Sequence, residues 1–151
     1  MNDLQKHELL ELYKLHSEFA DRVSQRREGA NRLFVSLLVG LTLFLGIFFR
    51  FGSNDEFLAV ILMFAGLIGI ALSVSWYIVI RSYRQLNTGK FQVLQELEKE
   101  LSFQFFEREW KVLESGTKPS RYWKLTVVET SLPVIFFVLS SVLATIGLYQ
   151  L

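Results

Sequence analysis

The sequence predicts an all-α integral membrane protein: three transmembrane helices plus cytoplasmic helices. Three observations carry that reading. Of 151 residues, 51% are apolar and only 21% charged, a balance that suits neither an ordinary soluble domain nor a disordered chain. The apolar residues gather in three charge-free runs long enough to cross a bilayer. Basic residues cluster on one side of those runs, which gives the chain an orientation.

Residues 1–32 form the first cytoplasmic element. Leu9, Leu12, Phe19, Val23 and Ala30 recur at three- and four-residue steps, so residues 3–32 read as one amphipathic helix. Acids and bases balance along it, which fits a solvated or subunit-facing helix better than a cationic interfacial one. No proline separates it from the first span, so the helix is free to run on into the membrane. The charged start and late apolar run are unlike a signal peptide.

The first span is 33–49, bracketed by Arg32 and Arg50. It reaches only about 25 Å, so the arginines make up the thickness by snorkelling. The loop 50–56 turns on Gly52, Ser53 and Asn54. The second span is 57–80, about 36 Å long, which requires tilt. The third is 130–151. A chain this short cannot wrap three such helices inside a soluble core.

Ten basic residues flank the spans on one side: Arg22, Arg26, Arg27, Arg32, Arg81, Arg84, Lys90, Lys118, Arg121 and Lys124. The other side has Arg50 alone. This bias places the N-terminus and residues 81–129 in the cytoplasm and the C-terminus outside. Within 81–129, Asn87-Thr88-Gly89 is expected to break or cap the helix leaving the membrane. Phe91, Leu94, Leu97 and Leu101 then stripe a further helix whose outer face carries Glu96, Glu98, Lys99 and Glu100. A short helix is expected from about 104 to 114, with Phe105, Phe106 and Trp110 apolar. Gly116, Pro119 and Ser120 turn the chain back, and Tyr122 and Trp123 suit an interfacial belt.

Chemistry is sparse. The chain has no cysteine, which removes thiolate nucleophiles, disulfides and zinc ribbons. His7 and His16 fall on opposite sides of a helix and cannot share a metal. Gly89-Lys90 lacks the rest of a phosphate loop. Glu96 and Glu100 share a face, but Lys99 beside them makes it a wet surface. The net charge of +1 gives no footprint for nucleic acid. Neither a catalytic group, a cofactor site nor a metal site is expected.

Two sets of residues stand out. Asp21, Arg22, Arg26, Arg27, Arg81, Arg84 and Glu129 lie near the cytoplasmic span ends. They serve either as topology anchors on anionic lipid headgroups or, paired with acids including Glu28, as a structural collar. Glu129 at the hydrocarbon edge is a site candidate by its cost alone. Small residues mark helix crossings: Ser36 and Gly40 in the first span, Ala65, Gly69 and Ser73 in the second, Ser140 and Ala144 in the third.

Residues Ala20-Asp21-Arg22-Val23-Ser24-Gln25-Arg26-Arg27-Glu28-Gly29-Ala30-Asn31, just before the first span, resemble the junction of bacterial SLATT-like membrane proteins. Arg81-Ser82-Tyr83-Arg84-Gln85-Leu86-Asn87-Thr88-Gly89-Lys90-Phe91, then Glu109-Trp110, then Leu125-Thr126 with Glu129 and Pro133, resemble the RipA-type octameric membrane protein family. Ser102 departs from the proline expected after the Phe91–Leu101 helix. The resemblance implies a bacterial inner-membrane protein assembled as a ring-like homo-oligomer, an octamer. SLATT-type relatives imply a pore-like effector in conflict and antiphage systems. The expectation is therefore a non-enzymatic scaffold or channel with a cytoplasmic collar, self and membrane lipids being its partners. The alternative is an adaptor that recruits a soluble enzyme, a cytoplasmic protein partner, to the membrane.

Overall fold

A computed structural model describes residues 3–51, 55–101, 104–112 and 125–151, and these are helical almost throughout. The elements are α1 (Asp3–Phe51), α2 (Asp55–Glu98), α3 (Phe105–Val112) and α4 (Leu125–Tyr149). Three of them, α1, α2 and α4, are long and apolar enough to cross a membrane. The expected all-α fold with three such helices is what the chain adopts.

The long helices are continuous, as expected where α1 enters its apolar run and against expectation at Asn87–Gly89. Helix α1 carries the amphipathic segment and the first apolar run as one element. Helix α2 likewise passes through Asn87, Thr88 and Gly89 without a break. The Thr88 hydroxyl donates to the Arg84 carbonyl at 3.0 Å, spending its capping capacity on the helix itself. A single glycine costs a helix only about 1 kcal/mol, which neighbouring turns absorb. The short helix is described over Phe105–Val112, inside the range anticipated for it. Gly52, Ser53, Asn54, Ser102, Gly116, Lys118, Pro119, Ser120, Arg121, Tyr122, Trp123 and Lys124, and the side chain of Trp110, lie outside the described residues.

The chain divides into two compact units. Unit 1 draws on 1–28 and 81–127, unit 2 on 29–80 and 128–151. In unit 2, α1 turns Phe34, Leu38, Leu41, Leu45 and Phe48 inward, a spacing of three and four that keeps one face on the bundle. Leu38 packs with Trp76 and Ile80, flanked by Phe34, Leu72 and Phe136. One to two turns further along α1, Leu45 packs with Leu62 and Ala65, flanked by Leu41, Leu58, Ile61 and Leu143. All three apolar helices thus share both clusters.

In unit 1 the buried face of α1 is Ala20 and Val23, with Leu9 and Tyr13 half-buried. Leu12, placed on that stripe by spacing, is 48% exposed. Tyr13 takes its place one residue on. Leu94 of α2 is fully buried. Glu98 is buried too, at 1% exposure, which corrects its assignment to the wet face of α2.

Candidate functional site

The most constrained polar group of unit 1 is the Glu98 carboxylate. It closes α2, and its Oε1 accepts the Tyr13 hydroxyl at 2.9 Å and the Phe106 amide at 3.0 Å. Its Oε2 accepts the Glu107 amide at 3.4 Å. The two amides belong to the first turn of α3, whose N–H groups have no partner within their own helix. A carboxylate there is favoured by both hydrogen bonding and the helix dipole. Rings surround it: Phe106 lies 6.2 Å from Tyr13 and 5.3 Å, edge-on, from Phe91. Burial first, and then the bond to Glu98, push the Tyr13 hydroxyl up to about 12. The site clasps three helices; it holds no nucleophile or base poised towards open space.

Further along unit 1, Lys90 Nζ sits 5.1 Å from the centre of the Phe19 ring and the Arg22 guanidinium 5.9 Å from it. Arg22 also meets Glu18 at 3.9 Å on an exposed face, a pair that contributes little. Asp21, Arg26, Arg81 and Arg84 are exposed, and Arg27 is half-buried. Among the described residues, no ion pair engages Arg81 or Arg84. Glu129 is half-buried in the second turn of α4.

Unit 2 has its own polar pin. Trp76, 1% exposed, donates its indole N–H to the Asn31 side-chain carbonyl at 2.8 Å. Its ring stacks on Phe34 at 6.0 Å and meets Phe136 at 6.3 Å. An indole buried in an apolar setting needs such an acceptor. Asn31 supplies it one turn before Leu38's cluster.

The small residues of α2 and α4 are where these helices meet. A Cβ at Gly69 would collide with the Ser140 side chain, and one at Gly66 with the Ala144 backbone. Gly147 is closed in the same way by the backbone of Ala59 and Met63. Ala65, Ser73 and Ser140 are buried, and Ala144 is half-buried. Ser36 and Gly40 differ: both are exposed, and a Cβ at Gly40 would meet nothing within 4 Å.

Glu98, Tyr13, Asn31, Trp76, Gly66 and Gly147 are residues that sequence reasoning passed over. Glu98 had a signal. With Phe91, Leu94 and Leu101 it forms a three- and four-residue series, so it lies on the apolar stripe despite its charged neighbours. The Asn31–Trp76 pair had none, being 45 residues apart.

A family model described as the Octameric membrane protein family (8xMP) matches residues 10–149. No curated protein and no solved structure matches the chain.

Proposed function

From the premise that this chain belongs to the Octameric membrane protein family, we propose that it works as a homo-oligomeric scaffold or channel-like assembly in the bacterial inner membrane. Its N-terminus is cytoplasmic and its C-terminus outside, following the basic residues at the span ends. Those residues contact anionic lipid headgroups, and the protein carries out no catalysis of its own. The carrying observation is the unequal burial of the three apolar helices. In its most apolar stretch α2 is 33% buried, but α1 only 11% and α4 17%. Two of the three helices therefore keep broad apolar faces for lipid and for neighbouring copies.

The role in conflict and antiphage systems rests on the resemblance of residues 20–31 to SLATT-like junctions. The adaptor reading draws on α3, which exposes Phe105 and Val112 on one face.

Reconstitution into nanodiscs and liposomes tests the proposal. Native mass measurement should return a single closed oligomer, and ion flux across the liposomes separates channel from scaffold. A monomer in nanodiscs removes the basis of the reading. Phage challenge of cells with and without the intact protein tests the conflict role separately.

A further inference from the structure

The described glycines of unit 2 fall into two sets. Gly66, Gly69 and Gly147 are each filled by a neighbouring helix of the same chain. Gly29, Gly40 and Gly46 of α1 meet nothing within 4 Å. A glycine weakens a helix unless its missing side chain is used, and in lipid the use is close backbone approach. Ser36, Gly40, Leu43 and Ile47 lie together on the side of α1 opposite its Phe34–Phe48 seam.

Helix α4 offers a matching surface. A groove of about 350 Å³ runs along Phe137, Val138, Ser141, Val142, Thr145 and Ile146. It adjoins Ser140 and Ala144, the α4 residues already seated on α2. Its hydroxyls are spent on their own helix, Ser141 donating to the Phe137 carbonyl and Thr145 to the Ser141 carbonyl, each at 2.8 Å. A floor of small, internally satisfied groups suits helix packing better than a water-filled path.

The two surfaces stand at one depth. The Gly69 position faces both Leu41 and Ser140, and Trp76 meets both Phe34 and Phe136. Helices α1 and α4 are therefore parallel, with Gly40 level with Ser141. Copies related by rotation about the membrane normal keep that level.

We infer that the Ser36–Ile47 face of α1 in one copy packs into the Phe137–Ile146 groove of the next. Two different surfaces meeting head to tail generate a ring when the rotation between copies closes. The inference rests on the homo-oligomer proposed above and names its interface.

The cysteine-free chain makes the test direct. Differently tagged Gly40→Cys and Ser141→Cys chains are co-expressed and oxidised in native membranes. A covalent heterodimer is expected, with neither single variant forming a homodimer. The doubly substituted chain should give a ladder of multimers. Ile47→Cys with Thr145→Cys is a second pair at matched depth, should the first disturb packing. If wild-type protein is oligomeric and neither pair cross-links, the interface is overturned. A Gly40→Cys homodimer overturns it in favour of a symmetric α1–α1 contact. A monomeric wild-type chain overturns the oligomer itself, and the interface with it.

Discussion

Unit 2 joins its helices where Gly66, Gly69 and Gly147 let backbones approach, with the neutral hydrogen bond from Trp76 to Asn31 at its aromatic end. Unit 1 joins α1, α2 and α3 through a buried carboxylate that accepts one hydroxyl and two amides. The difference follows from solvent. Among lipid tails, apolar side chains gain nothing by leaving one membrane-facing surface for another, so fit decides association. In water, apolar burial drives association, and a charge can be buried once donors satisfy it. Glycine placement therefore matters most in unit 2, and the completeness of a hydrogen-bond set matters most in unit 1.

The largest expected effect tests the first half of that comparison. Gly66→Leu forces a side chain into the Ala144 backbone, which cannot rotate aside, and should cost about 3 kcal/mol. Gly40→Leu, in open space, should leave protomer stability within about 0.5 kcal/mol. Denaturant titration in detergent, followed by circular dichroism, compares them. Equal losses would break the contrast.

Next comes the clasp. Glu98→Ala strands the Tyr13 hydroxyl and the Phe106 amide, at a cost of about 2 kcal/mol. Amide exchange in α3 should accelerate while α2–α4 packing is untouched. Glu98→Gln keeps an acceptor and should lose less. Matching losses for both variants would mean that the charge of the carboxylate carries the clasp and a neutral acceptor adds nothing.

Trp76→Phe keeps the ring in its stack but removes the N–H, and should cost about 1 kcal/mol. Asn31→Ala combined with it should add little, because the two act as one pair. A double-variant cycle measures this.

The smallest effect appears at high pH. The folded value for Tyr13 stands at about 12, above the ordinary 10.0. The contribution of the protonated hydroxyl is thus complete below pH 10.0 and is lost as pH rises towards about 12. Tyrosinate absorbance should show one late-titrating group, shifted earlier by Glu98→Gln.

The three apolar helices were legible because a charge-free run of that length has few other uses. The Gly69–Ser140 contact was legible in part, since small residues at four-residue spacing mark crossings without saying which helix answers. Asn87-Thr88-Gly89 misled because side chains that end helices when they face a free amide can equally bond back to a carbonyl one turn earlier. Glu98 misled for a different reason. Glu96, Lys99 and Glu100 around it signal a solvated face, and a partner 85 positions away in α1 leaves no trace in the local pattern.

The glycine contacts between α2 and α4 also impose an order in time. Helices α1 and α2 leave the ribosome before α4 exists, and N-terminal elements settle first during synthesis. Phe34 and Trp76 can meet in that hairpin at once. The recesses at Gly66 and Gly69 then stand open until Ser140 and Ala144 arrive. Helix α4, made after α1 and α2, completes unit 2, so a nascent chain halted before residue 140 carries an unfilled socket. Insertion of these three helices thus includes a late docking event, and quality control that senses exposed small-residue grooves in the bilayer would act before that event.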